Sequence, residues 1–215
     1  MRALLTAGLV GRFAKPVWFT VALLPFCWLV FAAATDRLGA NPAEALVRST
    51  GNWTLRMLCV VLAITPLRVV AKMPAWARFR RMAGLFVYFY AVLHLLSYGW
   101  FDMGLDLADI GHDIAKRPFI LVGFSAFVLL TPLALTSFNR AIRALGGRRW
   151  QQLHRLVYAV ALLAVLHFFW MRAGKHNFAE VAVYGAIVAT LLGWRLVQNI
   201  RKKTPKLASI LRRQL

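Results

Sequence analysis

The sequence predicts an all-α membrane protein, a bundle of six transmembrane helices, and three observations favour this fold class. The chain has 215 residues, of which 60% are hydrophobic and only 16% are charged, whereas a soluble domain of this length needs more charge on its surface. A spanning helix needs about 20 mostly apolar residues, and six stretches of the sequence meet that requirement. Basic and acidic residues are also sorted between alternate loops.

The first three predicted spans are separated by turn-forming residues. They lie at approximately 16–34, 53–70 and 82–101. The apolar run of the first span is longer than the core of a signal peptide, and five further spans follow it, so we expect a retained first helix. Gly39 and Pro42 fall between the first and second spans, and Pro74 falls before the third.

The last three predicted spans follow the same pattern. They lie at approximately 118–138, 153–171 and 179–197. Pro118 begins the fourth span, and Gly146-Gly147 precedes the fifth. Because the connecting loops are short and the spans use most of the chain, we expect one integral membrane domain over residues 1–215.

The charges predict the orientation of the helices in the membrane. The net charge is +20. Basic clusters comprise Arg2, Arg12 and Lys15; Arg68, Lys72, Arg78, Arg80 and Arg81; Arg140, Arg143, Arg148 and Arg149; and the tail from Arg195 to Arg213. All seven acids lie in or beside the other three loops: Asp36, Glu44, Asp102, Asp106, Asp109, Asp113 and Glu180. The positive-inside rule therefore places both termini in the cytoplasm.

Two charged segments also suggest partners. The tail sequence KKTPK favours an anchor to anionic membrane lipid over a nucleic-acid site. The predicted outer loop from Asp102 to Asp113 carries four acids. It is either a solvated loop or a docking patch for a basic partner.

Three histidines within the spans are the strongest functional signal. Ionisable side chains inside a membrane are costly and usually mark function. His94 lies in the third span, and His154 and His167 lie in the fifth. A single such histidine is typically a hydrogen-bonded helix residue, but three on two parallel helices favour cofactor ligation. Counting along the helices places His94 and His167 at similar depths toward the outside, with His154 about 20 Å away toward the inside, which suits two stacked cofactors.

No second histidine lies in the third span at the depth of His154, toward the inside of the membrane. Arg80 lies fourteen residues before His94, about 40° from it on an ideal helix. It either ligates the inner cofactor with His154, pairs with a cofactor carboxylate, or is simply a positive-inside residue, and a protonated guanidinium is a poor ligand. His154 and His167 fall about 140° apart on a straight helix. A π-bulge or strong tilt would bring both toward one partner helix; otherwise the two cofactors lie on different sides.

The ligand types indicate haem. Paired imidazoles from facing helices, among aromatic and aliphatic residues, suit a low-spin haem, whereas zinc would want four protein ligands. No C-x-x-C-H motif occurs, so the haem would be of b type. Arg56, about one turn inside the outer end of the second span, either snorkels to the surface or binds a propionate of the outer haem.

The chain resembles the MsrQ (formerly YedZ) family of the ferric-reductase-like transmembrane superfamily. The similarity lies in the runs RRMAGLFVYFYAVLHLLSYG, KRPFILVGFSAFVLLTPLALTS and LGGRRWQQLHRLVYAVALLAVLHFFW. It implies six helices in the bacterial inner membrane that bind one or two haems b. It also implies that His94, His154 and His167 are haem ligands and that Arg80 occupies the fourth position.

The resemblance further implies an electron-transfer subunit. Electrons would pass from the respiratory quinone pool, or from a cytosolic flavin reductase, to the periplasmic molybdopterin enzyme MsrP, which reduces methionine sulfoxide in oxidised proteins. FMN is also implied, although no local signature marks an FMN or quinone site. The tail has no G-x-G-x-x-G motif, so we expect a separate donor. Two alternatives are an outer-face ferric or cupric reductase and a haem-free proton or metal transporter.

Overall fold

Every regular element is helical in the part of the chain that this computed structural model describes, residues 13–173 and 178–211. Six of the described helical segments are long and apolar enough to cross a membrane, which confirms the predicted all-α, six-span architecture. Arg2, Arg12, Arg212 and Arg213, from the basic clusters, lie outside the described residues.

The helices are numbered in chain order. They are α1 (Ala14–Ala34), α2 (Pro42–Val70), a 3₁₀ helix (Pro74–Phe79), α3 (Arg80–Phe101), α4 (Leu107–Lys116), α5 (Pro118–Leu135), α6 (Asn139–Leu145), α7 (Gly147–Leu153), α8 (Leu156–Ala173) and α9 (Ala179–Leu211). The short helix α4 lies between the third and fourth spans, and α6 and α7 lie between the fourth span and the main helix of the fifth.

Helix α2 begins well before the predicted second span, which started at Trp53. The Asn41 side chain accepts a hydrogen bond from the backbone N–H of Glu44 at 3.1 Å, and Pro42 occupies the first turn. Both features are typical of a helix start. Its first turns carry charged and polar residues, so an apolar window does not include them.

The fifth span is broken at His154 rather than continuous. The residues His154 and Arg155 form a turn between α7 and α8. Three backbone N–H groups here donate three residues back: Arg155 to Gln152 at 3.1 Å, Val157 to His154 at 3.4 Å and Tyr158 to Arg155 at 3.0 Å. This is the spacing of a tight 3₁₀ turn. This turn changes the direction in which His154 projects relative to His167, so the straight-helix separation does not apply.

Two helix pairs form the centre of the bundle. Helix α2 makes extensive contacts with α3, and α5 does the same with α8; α9 packs against α2 and α8. The largest fully buried side chains are Tyr90, Leu58, Leu62 and Val87. Many large apolar side chains elsewhere are exposed, including Phe19 and Trp28 on α1, as a lipid-facing surface requires.

A proline inside α2 is matched by a side chain from a neighbouring helix. Pro66 lacks an N–H, so the carbonyl of Leu62, four residues earlier, has no intrahelical donor. Arg195 of α9 supplies one, because its Nη2 donates to Leu62 O at 2.6 Å. A second bond between helices involves α1, where the hydroxyl of buried Tyr90 donates to Ala22 O at 2.8 Å. Both bonds tie adjacent helices together.

Candidate functional site

The described residues form two cavities within the bundle that are each lined by histidine. The first, the His94–His167 cavity, has a volume of about 660 Å³. The second, the His154 cavity, has a volume of about 640 Å³. Both values fall within the usual range of cofactor and ligand pockets. Leu58, Val87 and Leu130 line both cavities, so the two lie next to each other inside one bundle.

The structure brings His94 and His167 together. Their ring centroids are 6.2 Å apart, and the ring planes are inclined at 71°. His94 projects from α3 and His167 from α8, and each ring packs against a further helix, α2 or α5. The arrangement presents two imidazoles to one cavity from facing sides.

Each of these histidines is oriented by a backbone carbonyl. The Nδ1–H of His94 donates to Val47 O at 2.9 Å, and the Nδ1–H of His167 donates to Phe119 O at 2.6 Å. A carbonyl can only accept, so Nδ1 must carry the proton in both rings. Nε2 of each ring then carries the lone pair, which is the arrangement found in most metal-ligating histidines.

The spacing of the two rings fits a bound metal ion. Two metal–imidazole bonds of about 2 Å each, with each ring centroid about 1 Å beyond its nitrogen, add up to about 6 Å. Among the described residues, no group of three or more His, Cys, Asp or Glu side chains could hold a metal ion. Two imidazoles therefore suit a metal whose other ligands come from a non-protein group, as porphyrin nitrogens do for haem iron.

One end of the His94–His167 cavity carries charged side chains. Arg117 Nε contacts Asp113 Oδ1 at 2.8 Å, and the Tyr98 hydroxyl donates to Asp113 Oδ2 at 2.7 Å. Tyr98 and Arg117 line the cavity, as does Arg48. Partial burial raises the pKa of the nearby Asp102 carboxyl, and the Arg117 guanidinium opposes that rise.

Sequence reasoning did not select Arg48 and Arg117. The sequence does distinguish them, because both are basic residues beside the loops that carry the acids. They are therefore exceptions to the sorting of basic and acidic residues between alternate loops. Each forms an ion pair with an acid four residues earlier in the chain, Arg48 with Glu44 and Arg117 with Asp113. They are cations held at the mouth of a cavity.

His154 has a different environment. Its Nε2 is 3.2 Å from Thr136 Oγ1, and its ring lies against Trp150 with a centroid separation of 4.0 Å. The indole N–H of Trp150 donates to Thr136 O at 2.9 Å. The hydroxyl thus engages the nitrogen that is left for ligation in His94 and His167.

The His154 cavity is rich in arginine. Its lining includes Arg68, Arg80, Arg81, Arg155 and Arg195. No Asp or Glu occurs among the described residues that line it. Arginine remains protonated, so this cavity favours an anionic group. The structure therefore places Arg80 and His154, paired in the sequence analysis, at the same cavity.

Arg56 lies away from the His94–His167 cavity. Its Nε donates to the Tyr184 hydroxyl at 3.1 Å, and its guanidinium lies over the Trp53 ring, 4.8 Å from the centroid. It does not belong to the lining of that cavity. Arg48 and Arg117 do belong to that lining.

Known proteins with similar sequences cover most of the chain. Residues 50–165 match the family model described as "Ferric reductase like transmembrane component". A relative from Polaromonas naphthalenivorans is 74% identical over 183 residues, covering 85% of this chain and 84% of its own. One from Ralstonia nicotianae is 57% identical over 84% and 82% of the two chains, and one from Bordetella pertussis is 51% identical over 93% and 96%.

All three relatives carry the name "Protein-methionine-sulfoxide reductase heme-binding subunit MsrQ". No solved structure matches the chain significantly. The region matched by the family model includes His94 and His154 and ends two residues before His167. On the match to the family model and on relatives of this identity and coverage, the chain is a multi-pass membrane protein that belongs to the MsrQ family of ferric-reductase-like transmembrane proteins.

Proposed function

We propose that this protein is a b-type cytochrome of the bacterial inner membrane that passes electrons to a periplasmic methionine sulfoxide reductase. The observation that carries the proposal is the pair His94 and His167, whose rings face one cavity at 6.2 Å with both Nδ1 atoms bonded to backbone carbonyls. The names of the relatives, which specify a heme-binding subunit, support the same cofactor.

In this proposal His94 and His167 would together hold one haem b through their Nε2 atoms. Arg48 and Arg117, at the end of the same cavity, would pair with its propionates, because guanidinium groups bind carboxylates in a bidentate manner. Bound haem supplies a one-electron couple between ferric and ferrous iron, tuned by its axial ligands and by burial. The surrounding apolar side chains keep water away from it.

The His154 cavity would hold a second cofactor. His154 would ligate a second haem through Nε2 once its proton has moved from Nε2 to Nδ1. Arg80 would neutralise a carboxylate of the cofactor rather than bind its metal. The arginine-rich lining also suits the phosphate of FMN. Arg155 and Arg195 lie at the same cavity and would serve the same anionic group.

The positions of the two cavities suggest a route. The arginine-rich His154 cavity would face the cytoplasm, where either the quinone pool or a cytosolic flavin reductase supplies electrons. The His94–His167 cavity would face the periplasm, where the molybdopterin enzyme MsrP accepts them and carries out the reduction of methionine sulfoxide. The protein itself would bind and orient the cofactors, while the bond-making chemistry belongs to its partner.

A ferric or cupric reductase at the outer face is the second candidate, because the matched family model describes a ferric reductase component. Metal reduction by the purified protein without MsrP would favour it. A haem-free proton transporter is less consistent with the histidine geometry. A histidine relay must exchange protons at both ring nitrogens, whereas carbonyls hold the Nδ1 protons of His94 and His167.

Reduced-minus-oxidised spectra of the purified protein, with haem quantified per polypeptide, test the proposal. We expect His94→Ala and His167→Ala to remove the same spectral component. His112→Ala is the matched control, because that histidine is exposed on α4. A folded, unmodified protein that takes up no haem would overturn the cytochrome assignment. Loss of different components in the two variants would overturn the shared site.

A further inference from the structure

We propose that Gly51 and Gly123 are positioning residues that set the orientation of His94 and His167. The proposal rests on the proposed function, since it concerns the haem between these two histidines. Neither glycine touches a metal, and each would act through the imidazole ring packed against it.

On α2, Gly51 leaves room for the His94 ring. A Cβ atom at this position would lie 3.1 Å from Cε1 and 3.2 Å from Nδ1 of His94. Both distances are tighter than ordinary van der Waals contact. The ring lies there because its Nδ1–H donates to Val47 O, one turn earlier on the same helix.

On α5, Gly123 leaves even less room for the His167 ring. A Cβ atom would lie 2.7 Å from Nδ1 and 2.8 Å from Cε1 of His167, which is closer than nonbonded atoms approach. The Nδ1–H of this ring donates to Phe119 O, again one turn before the glycine. Any side chain at position 123 must therefore displace the ring or the helix.

The direction of a helical side chain explains why glycine is needed four residues after the carbonyl. Cα–Cβ bonds tilt toward the N-terminus of a helix, so each side chain covers the turn that precedes it. A side chain at position 51 or 123 would cover the carbonyl that the histidine reaches from the side. Glycine is the one residue that leaves this carbonyl open to an imidazole from a neighbouring helix.

The same arrangement of carbonyl, glycine and histidine occurs on two helix pairs. The histidine follows its carbonyl partner by 47 residues in the α2–α3 pair and by 48 residues in the α5–α8 pair. Two unrelated packing accidents would not place carbonyl, glycine and histidine in the same relation on two helix pairs. The repetition points to a shared requirement, which is a fixed Nδ1–H donor and an Nε2 lone pair aimed into the cavity.

The test compares Gly51→Ala and Gly123→Ala with Gly193→Ala. Gly193 is the matched control because it lies within spanning helix α9 and a Cβ there would meet nothing within 4 Å. Haem affinity, low-spin spectra and the midpoint potential of the His94–His167 component are measured for each folded protein. We expect Gly123→Ala to weaken haem binding about 10- to 100-fold, the loss typical when the group orienting a metal-bound histidine is removed.

Gly51→Ala should give a smaller change in the same direction, with a shifted potential, since its Cβ contact is less severe. Gly193→Ala should match the unmodified protein. If Gly123→Ala does not fold, the spectrum and midpoint potential of Gly51→Ala test the inference. An unchanged spectrum and potential in folded Gly51→Ala or Gly123→Ala would overturn the inference, whereas the absence of haem from the unmodified protein would instead overturn the proposed function.

Discussion

The three histidines in the spans differ in which ring nitrogen is engaged. At His94 and His167, Nδ1 donates to a backbone carbonyl. At His154, the bonded nitrogen is Nε2 and its partner is the Thr136 hydroxyl. A carbonyl can only accept, so the proton lies on Nδ1 of the first two rings. The Thr136 hydroxyl donates its one hydrogen to Pro132 O at 2.7 Å, so it accepts from His154, whose proton lies on Nε2. The first two histidines therefore present an Nε2 lone pair, whereas His154 can present one only after its proton moves from Nε2 to Nδ1.

Replacing Thr136 with valine tests this difference. We expect Thr136→Val to retain or increase the spectral component that depends on His154, because the variant removes the oxygen that holds the proton on Nε2. The His94–His167 component should not change. Thr131→Val is the control, since its hydroxyl donates within its own helix, to Phe127 O. Haem content and spectra provide the measurement. Loss of the component, as in His154→Ala, would show that the hydroxyl supports the site.

Arg80 provides a second prediction at the residue scale. If it contributes positive charge rather than a ligand, Arg80→Lys should keep the spectrum of the His154-dependent component and most of its occupancy. Arg80→Leu should lower the occupancy without changing the band positions of the component that remains. Redox titration and spectra of both variants provide the measurement. A change in band positions in both variants would identify Arg80 as a ligand.

At the scale of the helices, Arg195 joins α9 to α2 through the carbonyl that Pro66 leaves free. Its Nη2 donates to Leu62 O and its Nη1 donates to Leu191 O at 3.1 Å, and the guanidinium lies over the Tyr158 ring. A proline that would otherwise weaken α2 thereby gains a partner from another helix. The contact also holds one cation of the His154 cavity in place.

A double-mutant cycle tests this contact. Arg195→Leu should destabilise the protein by about 1–3 kcal/mol, because a carbonyl in the interior loses its donor. In the Pro66→Ala background the restored N–H of residue 66 can bond to Leu62 O, so Arg195→Leu should cost less. Thermal unfolding in detergent, followed by helical circular dichroism, measures each variant. Equal costs in the two backgrounds would contradict the link between Pro66 and Arg195.

Much of the fold could be predicted from sequence because a membrane span has a simple requirement, a long apolar run. Helix ends were less predictable. The start of α2 at Pro42 depends on the Asn41 cap rather than on hydropathy. The break at His154 is accompanied by contacts of Trp150 with the His154 ring and with Thr136 O. Neither the start of α2 nor the break at His154 can be recognised from a run of apolar residues.

The histidines of the candidate site could be selected from the sequence because ionisable residues are rare within spans. Their partners could not. Val47 and Phe119 take part through backbone carbonyls, which are present at every residue and carry no mark in the sequence. Selecting Arg48 and Arg117 would have required knowing which loops meet at the mouth of the cavity.

At the scale of the whole molecule, charge sorting and cavity chemistry agree. The arginine-rich His154 cavity lies at the end of the bundle with the basic clusters, and the His94–His167 cavity lies toward the loops that carry acids. The positive-inside rule would therefore place the His154 cavity toward the cytoplasm. That orientation is a prediction of the sequence and it can be measured directly.

Cysteine accessibility tests the orientation. Leu107 is 81% exposed on α4, and we expect Leu107→Cys to react with a membrane-impermeant maleimide in intact cells with a permeabilised outer membrane. Arg143→Cys on α6 should react only after the inner membrane is opened. The unmodified chain reports the background from Cys27 and Cys59. The reverse pattern would place the termini in the periplasm.

The two cavities share three lining residues, Leu58, Val87 and Leu130. Because all three are aliphatic, they affect the free energy of moving an electron from one cavity to the other. Saturated hydrocarbon neither donates nor accepts protons, so in the proposed function no proton could accompany an electron through this layer. Each transfer would then separate charge across the low-dielectric interior. Moving one charge through the full membrane voltage is worth about 2.3 kcal/mol per 100 mV. An energised, inside-negative cell would thus push electrons outward, and an ionophore that dissipates the voltage would slow their exit.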